Sequence, residues 1–436
     1  MGSKSIPVEE VNFHATSFCD RNARVFWWRG ELYRGISPQK VDFYQNLFAR
    51  GIPQRLIEQK LLVATELTEL TLPDYPLILK HHRIPFVSYA HEWCPTMLKD
   101  CAWSVTKLML ELAKDDLTLG DVSTFDIMFD GCQPVFVDFG SLRFADYDGD
   151  RSWRRYRADF QDYFITPLTI MARGHGNLAR WLFMDYDHEV MVQCGALMTP
   201  GTQLKAIASK FKRLTSKQLY GTDLVQQLWQ QVEKIPLINT AQPLENSEDS
   251  THKQNTVHKI LSDLQPSTVL DLGCDRGYYS LLAASLGSQV VAIDMDEAKI
   301  TQCYQNAARR NLSVFPLVMN IRDPSPGHGV CNRVVSPALE RLECELVLAL
   351  GLVHQLVFEQ YLNLEQTVAT FAAFSQRWLL VEFYLPDKEV TPFWTDRYSW
   401  YSLDNFQQIL ARHFNRVEVI SPLGGKILLL CEKTSN

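Results

Sequence analysis

Residues 269–280, VLDLGCDRGYYS, constrain the fold of this chain more than any other stretch. An apolar, branched run breaks at Gly273 and Gly277 and passes straight into a helical pattern. Glycines at such a break let the backbone turn tightly and approach a ligand where a Cβ would collide. The next apolar run, QVVAID, ends in Asp294, 23 positions after Asp271. A carboxylate there can accept hydrogen bonds from the two hydroxyls of a ribose. Strand, glycine turn, helix and acid-tipped strand predict a doubly wound, mostly parallel sheet. Such a sheet holds a nucleotide-bearing ligand at the carboxyl ends of its strands.

The alternation continues downstream. SVFPLVMNI, ELVLALGLV and RWLLVEFY are further strand candidates, with the helix YLNLEQTVATFAAFS before the last of them. RVEVISP and KILLLCE pair as a closing hairpin. Residues 236–255, PLINTAQPLENSEDSTHKQN, are polar, hold two prolines and lack a sustained period. They read as a linker with a boundary near residue 245, dividing the chain into domains 1-240 and 255-436.

The first domain has a different order. ARVFWWRGELYRGIS alternates aromatic and polar residues around Arg29-Gly30 and predicts a hairpin. A helical stretch follows Ser37-Pro38, interrupted at Gly51-Ile52-Pro53. PLILKHHRIPFVSY predicts one or two strands and MLKDCAWSVTKLMLELAKDD a helix. FDIMFDGCQPVFVDF predicts a short hairpin with Asp130-Gly131 as its turn, and residues 151–235 look largely helical. This is an α+β order.

Composition excludes several classes. With 46% hydrophobic and 21% charged residues in 436, the chain has an ordinary soluble composition and length for two cores. A net charge of -7 argues against nucleic acid as a partner. The cluster Arg151, Arg154, Arg155 and Arg157 reads as a solvated helix face. Ten cysteines without a CxxC pair or zinc spacing read as small buried hydrophobes in a reduced cytoplasm. MGSKSIPVEE lacks a leader pattern and no apolar run is long enough to span a membrane, so a cytoplasmic location is expected. The oligomeric state is not legible.

The spacing DxGxxxG, from Asp271 through Gly273 to Gly277, departs from the GxGxxG of dinucleotide-binding domains. With the terminal hairpin, it makes residues 255–433 resemble class I S-adenosylmethionine-dependent methyltransferases. The resemblance implies a Rossmann-like domain and S-adenosylmethionine as cofactor. It implies a cofactor site of Asp271, Gly273, Cys274 and Gly277, then Asp294 and Met295, Asn320 and Ile321, and Leu350. Two positions depart from the family's pattern: Asp275 replaces the middle glycine and Glu345 the more usual Asp. A carboxylate at 275 repels the cofactor's own carboxylate unless it faces the ammonium or solvent. The runs DPSPGHG (323–329), LALGLVH (348–354), LLVEFYLPDKEV (379–390), SYAHEW (88–93) and LTLGDVSTFDIMFDGCQPVFVDFGSL (117–142) are similar to runs in bacterial nodulation-protein-like methyltransferases. That resemblance covers nearly the whole chain and brings no acceptor with it.

A sulfonium methyl is already activated, so transfer needs alignment of the acceptor, and a base only where the acceptor carries a proton. His354, after the fourth strand, and Glu382, ending the fifth, are the catalytic candidates. The alternative for His354 is packing under the cofactor; for Glu382 it is pairing with a nearby Arg or Lys. Asp387 and Lys388 are weaker candidates. Tyr278, Tyr279, Phe383, Tyr384, Phe393 and Trp394 can stack on adenine, enclose an acceptor or fill the core.

GDVSTFDIMFDGCQPVFVDFG resembles the catalytic segment of protein kinases, with Asp121 as base, Asp126 and Asp138 as metal ligands, and Asp138-Phe139-Gly140 as the metal-binding triplet. The resemblance implies a protein-kinase-like fold and a nucleotide with Mg as its ligand. The Gly-rich loop and the VAIK-like strand are missing, Leu119-Gly120 replace His-Arg, and Arg34 is a distant substitute for the missing Lys. A pseudokinase-like module that binds substrate, nucleotide or a partner is the expectation. For the whole chain, that means methyl transfer to a small-molecule or glycoconjugate acceptor, with the first domain aiding presentation. The rivals are a bifunctional kinase/methyltransferase acting successively on one acceptor, and a non-catalytic binding scaffold.

Overall fold

The computed structural model describes residues 4–14, 17, 20, 22–145, 151–185, 219–237, 248–386, 396–422 and 424–433. The chain forms two compact units, one of Met1–Pro85, Tyr89–His91 and Pro95–Ile238, the other of Phe86–Ser88, Glu92–Cys94 and Asn239–Asn436.

The second unit is built on seven strands: β1 (Thr268–Leu272), β2 (Gln289–Asp294), β3 (Val314–Val318), β4 (Cys344–Ala349), β5 (Ser375–Tyr384), β6 (Arg416–Pro422) and β7 (Lys426–Glu432). Their order across the sheet is β3-β2-β1-β4-β5-β7-β6. The first five run parallel, and β7 pairs antiparallel with both β5 and β6. Val290 and Val291, like Leu346, Val347 and Leu348, have essentially no exposed surface. A parallel sheet covered by helices on both faces requires this, which is why these strands read as continuous apolar runs. Between β1 and β4 the order of connections reverses, and at such a switch the strand ends part to leave a cleft.

Helix Glu248–Leu264 precedes β1 and begins inside the stretch read above as a linker through residue 255. Its apolar anchors, Val257, Ile260 and Leu261, stand three and four apart only in its second half, so its polar start carried no periodic signal.

Phe86–Ser88 and Glu92–Cys94 pack into this same unit. Arg341, 5% exposed, donates to the buried Glu92 carboxylate and, at 2.6 Å, to the Val87 carbonyl. Phe86 meets Phe315 edge-on at 5.4 Å. A linear division into 1-240 and 255-436 leaves these two short stretches out.

The first unit opens with a five-stranded antiparallel sheet in the order Asn12–Phe13, Ala23–Trp28, Glu31–Ile36, Leu77–His81, Thr65–Leu67. Arg29 and Gly30 both have positive φ in the first hairpin, as its two-residue turn demands. PLILKHHRIPFVSY supplies one strand, Leu77–His81. Helix Pro95–Ala113 follows, then two nested pairings: Leu117–Leu119 with Leu142–Phe144, and Ile127–Asp130 with Gln133–Phe136. The inner turn is Gly131-Cys132, one residue later than expected, because Asp130 pairs with Gln133 and only Gly131 takes positive φ. The described parts of 151–235 are largely helical. An antiparallel sheet, a long helix and two nested hairpins thus precede the doubly wound sheet along the chain.

Candidate functional site

The loop after β1 is tied to β2, because Gly273 and Cys274 both donate their N–H to the Ile293 carbonyl, at 2.9 and 3.0 Å. Gly277 opens helix Tyr278–Ser285 at φ 85°, and a Cβ there would lie 2.3 Å from Cys303 Sγ. Only glycine satisfies both demands. Asp271 is 1% exposed and accepts a 2.6 Å bond from Ser280 Oγ. Burial pushes its carboxyl up to about 6 against that bond. Asp271 therefore braces the loop from inside. Cys274 is buried, and its thiol is raised well above the ordinary cysteine range, first by burial and then by Cys303 beside it.

Asp294 stands at the mouth of the loop. Its Oδ2 accepts the Asp275 N–H at 3.0 Å and its Oδ1 the Asp296 N–H at 2.9 Å. Two backbone donors hold the carboxylate plane and leave each oxygen a further lone pair, which fits a pair of ribose hydroxyls. Asp275 takes up the positive φ of the glycine it replaces, 51°, and its Oδ1 pairs with Lys299 at 2.8 Å. Burial raises its carboxyl, but the Lys299 hydrogen bond and charge outweigh that and leave it low. The expected repulsion is thus met by a lysine from the next helix.

Met295 is 60% exposed, and its sulfur accepts from Gln360 Nε2 at 3.7 Å. Asn320 Oδ1 accepts the Arg322 N–H, turning the chain after β3, and Ile321 is buried. Leu350 is half-buried after β4. Glu345 lies at the opposite end of β4, where its Oε2 accepts from Ser267 N and Oγ. Its departure from the family's Asp therefore falls away from the strand ends that carry the site.

The two expected catalytic residues stand on neighbouring elements, His354 in the helix that follows β4 and Glu382 in β5. His354 begins the short helix Val353–Phe358, with its ring 4.1 Å from that of Tyr384. Its Nδ1 is buried without a hydrogen bond among the described residues, and burial lowers its pKa. Glu382, 0% exposed in β5, accepts from Lys253 Nζ at 2.5 Å through Oε2, while Oε1 is buried and accepts nothing among the described residues. The pairing alternative for Glu382 therefore describes one of its two oxygens. Gly351 lies beside Glu382 and Tyr384, since a Cβ there would lie 3.6 Å from both Glu382 Oε2 and the Tyr384 hydroxyl. Phe383 is core, stacked on Tyr401 and Phe406. Asp387, Lys388, Phe393 and Trp394 lie outside the described residues. Lys253 was missed because it falls in the polar stretch read as linker.

In the first unit, the nested hairpins bring Asp121, Asp126 and Asp138 near one another, but each is engaged. Asp121 pairs with Arg155 at 3.2 Å and accepts from Ser141 Oγ. Asp126 accepts from Ser123 N and Oγ, and burial, aided by Asp138, pushes it up to about 7. Asp138 meets Arg34 Nη1 at 3.5 Å, which also faces Asp20 at 3.6 Å. Arg34 Nε donates to His81 Nε2, and a Cβ at Gly140 would lie 2.7 Å from Arg34 Nη1. Among the described residues, no group of three or more His, Cys, Asp or Glu side chains is set to hold a metal ion. The expected metal pair, Asp126 and Asp138, does not fit a divalent ion here. Arg34 already occupies the charge of Asp138, and Asp126 leans toward its neutral form.

Residues 269–356 match a protein family described as a methyltransferase domain. The chain is 24% identical over 402 residues to nodulation protein NoeA of Rhizobium meliloti (strain 1021), covering 81% of each. Among solved structures it is similar to the bifunctional kinase-methyltransferase WbdD, at 20% identity and a TM-score of 0.32 over 43% of this chain and 40% of that one. The chain thus spans about two fifths of that structure's length. It is also similar to magnesium protoporphyrin IX methyltransferase from Synechocystis PCC 6803 with bound SAH, at 14% identity and a TM-score of 0.33 over 44% of this chain and 90% of that one. Among the described residues, no helix is long and apolar enough to cross a membrane.

Proposed function

From the premise that this chain is an S-adenosylmethionine-dependent methyltransferase, we propose that it methylates a hydroxyl on a small-molecule or glycoconjugate acceptor. The acceptor binds beside His354 and Glu382, and the kinase-like unit helps present it. One observation carries this reading: His354 Nδ1, in the helix after β4, and Glu382 Oε1, in the neighbouring β5, are buried polar atoms without hydrogen-bond partners among the described residues. Buried polar atoms are rarely left unsatisfied unless something else completes them.

When bound, S-adenosylmethionine supplies a sulfonium methyl already activated for transfer. The chain adds alignment, which contributes up to about 10 kcal/mol, and a destination for the proton. Neutral His354 would take the proton of the acceptor hydroxyl at its free Nδ1 as the methyl is transferred. Glu382 Oε1 accepts a hydrogen bond that orients the acceptor. Asp294 and the loop glycines would hold the cofactor end.

Labelled S-adenosylmethionine, offered with pools of polyols and glycoconjugates, tests the reading. Label is expected in a hydroxylated acceptor, and Asp294→Ala is expected to weaken S-adenosylhomocysteine binding at least about tenfold by calorimetry. Label found only on nitrogen acceptors or protein would overturn the acceptor class, and unchanged affinity would overturn the role of Asp294.

A second reading, phosphorylation followed by methylation of one acceptor, rests on the retention of Asp121, Asp126 and Asp138. Arg34 weighs against it, because a cation already neutralises Asp138. A scaffold role without catalysis is opposed by the fitted loop and the aligned Asp294 carboxylate.

A further inference from the structure

Lys253 stands on helix Glu248–Leu264, outside the glycine loop and the strand ends. Its ammonium lies 2.5 Å from Glu382 Oε2 and 5.5 Å from the centre of the Tyr279 ring. Its side chain is 18% exposed, that of Glu382 not at all. A carboxylate taken wholly out of water needs a cation and donors to compensate its lost hydration. Lys253 compensates one oxygen. The other, Oε1, receives no hydrogen bond among the described residues. An ion pair serving only to brace a core would leave neither oxygen wanting, because a half-satisfied buried network is worse than an apolar one. A carboxylate gripped by one oxygen, at the end of β5 beside Gly351 and Tyr384, is arranged for a donor that comes from outside the chain.

We propose that Lys253 is a positioning residue for methyl transfer: it clamps Glu382 through Oε2 and so presents Oε1 to the hydroxyl of the acceptor. The inference rests on the reading of Glu382 as an acceptor-side group. Lys253 touches neither the transferred methyl nor the acceptor oxygen and acts through Glu382 alone. Without the ammonium, Glu382 is an uncompensated buried charge, and such a group takes up a proton. A protonated Glu382 donates at the position where the acceptor hydroxyl also donates.

The test compares the full chain with Lys253→Met, Lys253→Arg and Glu382→Gln. Infrared spectra near neutral pH read the protonation of Glu382, identified as the band lost in Glu382→Gln. Glu382 is expected as carboxylate in the wild type and in Lys253→Arg, and as carboxylic acid in Lys253→Met. Calorimetry with S-adenosylhomocysteine should give affinities within about twofold of each other for wild type, Lys253→Arg and Lys253→Met. A carboxylate that survives in Lys253→Met overturns the proposal. So does an affinity loss of about tenfold or more, which would make Lys253 a cofactor ligand. Should Lys253→Met fail to fold, adding Glu382→Gln removes both charges, and the double variant is expected to fold like Glu382→Gln alone. Failure of that rescue overturns the proposal too. A wild-type chain that does not bind S-adenosylhomocysteine would instead sink the reading of the site, and the infrared comparison would still stand.

Discussion

Asp271 shows how a residue can be conspicuous in a sequence for one reason and act for another. It marks the start of the glycine loop, yet it is buried and braces Ser280. Its folded pKa of about 6 lies above the ordinary carboxylate value, so the fold favours the protonated form. The resulting stability is complete below about pH 4 and is lost as pH rises through about 6, a change of about 3 kcal/mol. Denaturant midpoints of the second unit should fall across that window in the wild type and stay level in Asp271→Asn. A level wild-type profile would remove Asp271 as a titrating brace. His354 is shifted in the other direction, since burial lowers its pKa and keeps the imidazole neutral through physiological pH. Turnover should be flat above about pH 7 and fall only below the ordinary histidine range, and His354→Ala should lose about 100-fold in turnover. Unchanged turnover with early melting would mean that His354 only packs. The residue types at Asp271, Asp294, His354 and Glu382 were all legible, because glycine breaks and strand ends are local signals. Lys253 was not, because nothing local marks a lysine whose partner is 129 positions away.

Elements were legible where one period runs from end to end. The parallel strands, buried on both faces, and the hairpin at Arg29-Gly30 stand where periodicity puts them. Helix Glu248–Leu264 did not reveal its first half, which has no apolar face to bury. The turn at Gly131 moved by one residue because strand pairing, not the Asp-Gly dipeptide, sets the register. The strand Glu31–Ile36 has a functional consequence of the same kind. It delivers Arg34 to Asp138, a pairing that sequence separation hides. Phosphoryl transfer depends on charge-neutralising metal and on groups that hold the phosphates in line. With Asp138 committed to Arg34, no ATP turnover above background is expected with magnesium or manganese. Metal-dependent phosphorylation of any acceptor, lost in Asp121→Asn, would show otherwise.

At the scale of the molecule, composition suggests a division near residue 245, but the second compact unit also takes in Phe86–Ser88 and Glu92–Cys94. SYAHEW is visible as a motif in the sequence, while the burial of its Glu92 against Arg341 belongs to tertiary structure alone. Breaking a buried ion pair by deleting one member costs about 3–5 kcal/mol. Glu92→Ala in the full chain should therefore lower the unfolding free energy of the second unit by about that amount. A loss below about 1 kcal/mol would mean the pair is dispensable.

The separation of 249 positions between Glu92 and Arg341 also imposes a schedule on synthesis. At about 5–20 residues per second, a ribosome needs about 10 to 50 s after making Glu92 before Arg341 is even polymerised. For that interval Glu92 lacks the Arg341 guanidinium, so the Rossmann-like unit closes only after most of the chain has emerged. A nascent chain arrested shortly before Arg341 should expose the segment around Glu92 to protease, and one arrested well beyond it should not.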